Sequence, residues 1–297
     1  MPGSLRGAVV AIGNFDGVHR GHKHVVAAAR AAAGGRPVVV MTFEPHPRVY
    51  FQPEVPLFRL SDAAAKARLL AGLGIDALAV LPFDRSLAET SADAFETDLL
   101  VDWLGAAEVI VGRDFHYGAR RGGHVETLRQ AGRAKGFGVV QVEALDSARG
   151  TISSSAIREA LAAGDLDEAN GQLGHAWFIS ATVIHGEKRG RTLGYPTANL
   201  RLDPACGLRH GIYAVKVGLA GRWLDGVASF GRRPTFDNGA PLLEVHVFDL
   251  NENLYDRTLD IAFAGYLRGE AKFDSLEALV AQMDQDSRDA RMILDPG

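Results

Sequence analysis

Two patterns divide this chain, and the first constrains its fold most. Over the first 170 or so residues, short β-rich apolar runs alternate with helical stretches. The runs occupy 8–12, 38–43, 77–81, 109–111 and 139–142; the helical stretches occupy 22–33, 62–73, 92–104 and 155–162. Strand, helix, strand, helix predicts a parallel sheet with helices on its faces. In such sheets ligands bind outside the carboxyl ends of the strands.

The pattern changes near His175. Strand-like runs follow at 178–184, 212–217, 223–230, 243–248 and 259–263, separated by Gly, Pro and Asn; only 275–283 looks helical. This predicts a small antiparallel β barrel or sandwich with a terminal helix. The boundary falls at 174–178, giving domains 1–174 and 175–297. A length of 297 residues suits two domains, and 47% hydrophobic residues is too many for a disordered chain.

Composition also excludes several classes. With 32 Lys and Arg against 36 Asp and Glu, the net charge is -4. No basic excess is available for a nucleic-acid backbone, so no nucleic-acid partner is expected. The lone cysteine, Cys206, can form neither an intrachain disulfide nor a zinc-thiolate cluster. No apolar run approaches the roughly 20 residues of a membrane span. The opening stretch lacks a signal-peptide cleavage pattern. The expectation is a cytoplasmic enzyme without a membrane partner; self-association is left open.

The first informative segment is Gly13-Asn14-Phe15-Asp16-Gly17-Val18-His19-Arg20-Gly21-His22. It follows a strand and precedes a helix. Its glycines let backbone approach a ligand closely, and a helix start offers free N–H groups to phosphate. His19 and His22, three apart, share a face of the first turn. Two imidazoles there can donate hydrogen bonds to phosphate oxygens during phosphoryl transfer. A metal site using His24 as well is the rival, but no carboxylate spacing completes its ligand set.

This segment resembles the Rossmann-like nucleotidyltransferases, which move AMP or CMP onto a phosphate. Three more segments narrow the resemblance: Phe43-Glu44-Pro45-His46-Pro47-Arg48, Val111-Gly112-Arg113-Asp114-Phe115-His116-Tyr117-Gly118 and Ile152-Ser153-Ser154-Ser155-Ala156-Ile157-Arg158. In this order they resemble the FAD synthetase module of the prokaryotic bifunctional riboflavin kinase/FAD synthetase family. The resemblance implies a Rossmann-like domain in which the FMN phosphate attacks the α-phosphorus of ATP and releases pyrophosphate. It implies that His19 and His22 stabilise the transition state. Gly13, Phe15, Asp16, Gly17, Gly21, Asp114, Ser154, Ser155 and Arg158 would hold the nucleotide, its phosphates or the metal. His46, Pro47 and Arg48 would meet the flavin. Ser155 stands where the family usually has threonine, and keeps the hydroxyl.

In the second half, Gly186-Glu187-Lys188-Arg189-Gly190-Arg191-Thr192-Leu193-Gly194-Tyr195-Pro196-Thr197-Ala198-Asn199-Leu200 stands out. A glycine-rich basic loop can wrap phosphates. It is not a Walker loop, because the glycines are too close and Arg191 stands where lysine should be. Thr197 and Asn199 supply oxygens suited to Mg²⁺. Joined to 231–236, 243–246, 253–255 and 267–273, this segment resembles the riboflavin kinase module of the same family. The resemblance implies that Gly186, Arg189, Gly190, Arg191 and Pro196 bind ATP, and that Thr197 and Asn199 hold Mg²⁺. Glu244 would be the general base for the ribityl hydroxyl. Arg268 and Glu270 either bind flavin or nucleotide, or form a structural pair.

The chain departs from the family's pattern in three places. The junction 174–181 lacks the usual Arg-Pro and has Ala181 for glycine. Asp256 replaces a glycine, and Gly269 replaces a proline. Rival readings are an adenylyltransferase whose barrel binds flavin without phosphorylating it, and a non-catalytic flavin-binding regulator. Cytidylyl or pantetheine-phosphate adenylyl transfer shares the His-x-Gly-His motif but leaves the second half unexplained.

Overall fold

A computed structural model describes residues 3–185, 194–232 and 241–295. In the first half, β1 (Val9–Ile12), β2 (Val38–Glu44), β3 (Ala77–Pro82), β4 (Glu108–Gly112) and β7 (Gly138–Val142) form a five-stranded sheet in the order β3-β2-β1-β4-β7. All four of its pairings are parallel. The sheet builds two cores, because alternate residues of a strand face opposite sides. Val10 and Ile12 join Val39, Met41, Val109 and Val111 on one side. Val9 and Ala11 join Val38, Val40 and Ile110 on the other. Every residue of β1 is buried, as expected of a central strand covered on both faces.

The helices are α1 (Arg20–Ala32), α2 (Pro47–Phe51), α3 (Ala63–Ala71), α4 (Arg85–Glu89), α5 (Ala92–Ala94) and α6 (Val125–Lys135). Two short hairpins pair β5 (His116–Tyr117) with β6 (Gly123–His124) and β8 (Asp146–Ser147) with β9 (Gly150–Thr151). The expected helix over 92–104 proves composite. After α5 it continues as a π-helix over Phe95–Trp103, and Leu104 N–H reaches back to Leu99 C=O at 3.0 Å. α6 has no counterpart among the expected helices. It is defined by a box at its start, where His124 and Thr127 bond reciprocally, and by Gly136 in the left-handed region at its end.

The second half contains α7 (Ser154–Ala163), α8 (Leu166–Leu173), β10 (Phe178–Ile184), β11 (Ala198–Arg201), β12 (Gly211–Leu219), β13 (Arg222–Arg232), β14 (Pro241–Val247), β15 (Thr258–Arg268) and α9 (Leu276–Leu294). The six strands close into a barrel, in the order β10-β11-β14-β13-β12-β15. Closure removes the exposed strand edges that a sandwich would keep. α9 extends well past the expected 275–283; Ser275 caps it by accepting from Ala278 N–H at 3.1 Å.

The chain packs as two compact units. One comprises Met1–Leu57 and Ala63–Ser153, the other Phe58–Asp62 and Ser154–Gly297. The apolar faces of α7 and α8, carrying Ile157, Leu161, Leu166, Ala169 and Leu173, join the barrel's core. Trp177 Nε1 donates to Leu60 C=O at 2.9 Å and so ties the 58–62 segment to the same unit. Packing therefore draws its line before Ser154, ahead of the compositional change near His175.

Candidate active site

Strand order locates the first site. From β1 the chain moves outward to β2 and β3, then returns to β4 on the other side of β1. The crevice beyond β1 and β4 is the topological switch point, where ligands bind in open α/β sheets. The Gly13–His22 segment leaves β1 there, and Asp114 follows β4.

This loop is tightly bent. Phe15, Gly17 and Val18 lie at φ 50°, 79° and 44°. A left-handed non-glycine residue costs about 1–3 kcal/mol and persists only where its surroundings hold it. Here Phe15 and Val18 are fully buried in the core beside β1. Asp16 is buried as well.

His19 is the N-cap of α1, and its Nδ1 accepts from His22 N–H at 3.3 Å. The two imidazoles stack, with centroids 3.6 Å apart and 18° between planes. The expected shared face is thus a stack across the cap. Gly21 makes room for it: a Cβ there would lie 3.1 Å from the His19 ring. His19 is buried and His22 half-buried. Burial first, then the His19 and Lys66 charges, hold His22 well below the ordinary histidine value of 6.5. His22 is therefore neutral at pH 7. Its buried Nδ1 has no hydrogen-bond partner among the described residues.

His46 caps α2, with Nδ1 accepting from Arg48 N–H at 3.1 Å. Pro47 is the first residue of that helix, and Arg48 reaches Gln52 at 3.3 Å. Beside them Tyr50, Phe51 and Phe83 pack edge to face, and Phe51 is 62% exposed. Such a face suits a planar ring; no sequence motif marks these three aromatics. Asp114 is exposed, and its Oδ1 would lie 3.3 Å from a Cβ on Gly112. Ser154, Ser155 and Arg158 open α7 and belong to the second unit. There Arg158 Nε donates to Phe58 C=O.

Sequence reading also misses Lys66, on α3. It is 4% exposed and contacts Glu44 Oε1 at 2.6 Å, Asn14 C=O at 3.3 Å and Thr42 Oγ1 at 3.4 Å. Its only sequence signal is a charge inside the alanine-rich stretch Ala63-Ala64-Ala65-Lys66-Ala67.

In the second unit, Gly186, Arg189, Gly190 and Arg191 lie outside the described residues, as does 233–236. Pro196 C=O meets His246 Nδ1 at 2.9 Å. The chain enters β11 at Ala198. Asn199 then stands in register with Glu244 on β14, and Glu244 with Ser229 on β13. Leu200, Leu243, Val245 and Phe230 belong to the barrel core. By the strand's two-residue period, Asn199, Glu244 and Ser229 share the opposite face. Asn199 is 7% exposed and Glu244 half-buried. A small, partly open cleft is lined by Pro196, Thr197, Ala198, Asn253 and Tyr255 among others. Glu244 and Asn199 are not among its walls.

Arg268 forks onto the buried Asp286 at 2.8 and 2.6 Å. Glu270 instead has its Oε2 3.9 Å from His210 Nδ1, and its other oxygen lies over Gly231. The structural pair expected as one option for Arg268 and Glu270 is therefore replaced by two other pairs. Asp256 adopts φ 60°, a left-handed position that accounts for glycine in the family's pattern and that aspartate tolerates.

A parallel sheet with a phosphate-type loop at its switch point, joined in one chain to a closed barrel with an amide–carboxylate pair, describes a two-unit nucleotide-using enzyme. Family profiles agree in the same order: FAD synthetase matches residues 1–156 and riboflavin kinase matches residues 173–294. The bifunctional riboflavin kinase/FMN adenylyltransferase of Pseudomonas fluorescens is 43% identical, over 98% of this chain and 94% of its own. That of Escherichia coli K12 is 40% identical, over 96% and 92%. A crystal structure from Streptococcus pneumoniae, described as a macrolide-efflux protein, matches with a TM-score of 0.88 and 32% identity, over 98% and 95%. Efflux is said of that protein alone; among the described residues here, no helix is long and apolar enough to cross a membrane. The chain belongs to the bifunctional riboflavin kinase/FMN adenylyltransferase family.

Proposed function

We propose that this chain converts riboflavin to FMN with its barrel and FMN to FAD with its sheet, using ATP in both steps. The observation that carries this reading is the family match over both halves, each half holding its own set of polar groups. With the functional boundary after residue 174, residues 1–174 carry adenylylation and 175–297 carry phosphorylation.

In the barrel, Glu244 accepts the proton of the ribityl 5′-hydroxyl as that oxygen attacks the γ-phosphorus. The bond to the β,γ-bridging oxygen breaks and ADP leaves. Base assistance of this kind is worth about 10²–10⁴-fold. Thr197 and Asn199 fit a hard divalent cation: Asn199 Nδ2 turns to Thr197 C=O at 3.5 Å, which leaves the amide oxygen facing elsewhere. Among the described residues no cluster of three or more His, Cys, Asp or Glu could hold a metal by itself. Mg²⁺ is commonly held by one or two protein oxygens plus substrate phosphates. When bound, Mg²⁺ would supply charge neutralisation at the phosphates.

In the sheet, a phosphate oxygen of FMN attacks the α-phosphorus, the bond to the α,β-bridging oxygen breaks, and pyrophosphate leaves. No covalent intermediate with the protein is required. His19 and the neutral His22 donate hydrogen bonds to the phosphate oxygens, and the backbone N–H groups at the start of α1 add to them. Ser154, Ser155, Arg158 and Asp114 are proposed as further nucleotide contacts; His46, Pro47 and Arg48 as flavin contacts. A cytoplasmic location and self-association are further proposals, the latter read as a sedimenting mass above 31.8 kDa.

Incubating the purified chain with riboflavin and Mg-ATP, and following FMN and FAD separately, tests the reading. It predicts that FMN appears first and FAD follows. FAD made only from supplied FMN would leave the barrel a binding module.

A further inference from the structure

We infer that Lys66 is a positioning residue for adenylyl transfer, holding the Gly13–His22 loop in its bent form through the Asn14 carbonyl. The inference rests on the proposed role of His19 and His22.

The geometry is a set of contacts between α3, the end of β2 and the loop that leaves β1. Lys66 Nζ donates to Asn14 C=O at 3.3 Å and to Thr42 Oγ1 at 3.4 Å. Thr42 Oγ1 donates in turn to the same Asn14 C=O at 3.1 Å. The third direction of the ammonium goes to Glu44 Oε1 at 2.6 Å. Both Lys66 and Thr42 are buried, at 4% and 0% exposure. One backbone carbonyl thus receives two buried donors, one charged.

That carbonyl stands where the loop leaves the sheet. The next residue, Phe15, is the first of the left-handed ones, and Val18 completes the bend just before the His19 cap. Apolar burial of Phe15 and Val18 anchors the loop's side chains. Lys66 and Thr42 set the direction of the peptide at its entrance. A carbonyl turned away would leave a buried ammonium short of an acceptor, which is costly. Because misplacement by about 1 Å can cost about 10²-fold in rate, a group that fixes the loop entrance affects turnover without touching substrate.

The test uses the full-length chain, in which the riboflavin kinase reaction serves as an internal control. The double variant Lys66→Met/Glu44→Gln removes the ammonium without stranding the carboxylate. Thr42→Val is the milder arm, removing the second donor and no charge. For FMN adenylylation, kcat falls at least about tenfold in the double variant and at least about threefold in Thr42→Val. The KM for ATP changes less than about threefold, and riboflavin phosphorylation is unaltered. Wild-type kcat in either folded variant overturns the inference, as does a raised KM with kcat intact. If the double variant does not fold, Thr42→Val decides. His19→Ala is run alongside: if it keeps activity, the site reading itself fails. If it is inactive while the Lys66 and Thr42 variants match wild type, only this inference fails.

Discussion

Asn199 and Glu244 stand directly opposite each other across β11 and β14, on the face turned away from the barrel core. Opposed residues in an antiparallel pair have Cβ atoms about 4.5–5.5 Å apart. The amide proposed to hold a cation and the carboxylate proposed to take a proton are therefore held together by sheet register, not by a loop. A one-residue slip of either strand would send its member of the pair into the core, so the hydrophobic alternation that folds the barrel also assembles the pair.

Asn199→Ala leaves the barrel core untouched and removes one proposed cation ligand. The Mg²⁺ concentration for half-maximal FMN formation should rise about tenfold, equivalent to about 1.4 kcal/mol. Chelation with EDTA should stop both reactions. An unchanged Mg²⁺ curve would remove Asn199 from the cation site.

Arg268 tests a flavin contact against a structural one. Its fork onto Asp286, which Gln282 also meets at 2.9 Å, joins the end of β15 to α9. Arg268→Met strands a buried carboxylate, a change that typically costs about 3–5 kcal/mol. The urea midpoint of the C-terminal unit should fall accordingly. A stable variant with weakened riboflavin binding would restore Arg268 to the flavin site.

The sheet strands are legible in the sequence because each is built on a short run of mostly apolar residues, and all five lie within a residue or so of expectation. β11 is not legible: four residues, Ala198–Arg201, carry too short a pattern, and Pro196 ahead of them signals a turn. The π-helix over Phe95–Trp103 looks like ordinary helix because apolar spacing does not distinguish hydrogen-bond offsets over two turns. The histidine pair is legible from its motif at a strand-to-helix junction. Lys66 and the Tyr50–Phe51–Phe83 face are not, because their meaning depends on neighbours distant in sequence.

His22 makes stability depend on pH. Its folded pKa is depressed, so below about 6.5 the unfolded chain takes up a proton that the native ring resists. Stability present above that value is lost as the pH falls toward the lower folded value. His22→Gln should therefore flatten the decline in melting temperature between about pH 6.5 and 5. An identical decline in both proteins would contradict the burial of a neutral imidazole.

Cys206 reports on the second unit. It is 8% exposed, and burial pushes its thiol up to about 11. A buried, protonated thiol is inert, so a thiol reagent at about pH 7.5 should label the native protein slowly and the urea-unfolded protein at once. Rapid native labelling would mean that the barrel unit opens readily.

On the proposed assignment, two separate sets of groups catalyse two phosphorus reactions in one chain. Assaying Glu244→Gln and His19→Ala with riboflavin and, separately, with FMN decides it. Glu244→Gln should lose FMN formation by at least about 10²-fold and keep FAD synthesis from supplied FMN; His19→Ala should do the reverse. Loss of both activities from either variant, with its fold intact by circular dichroism, would contradict the account.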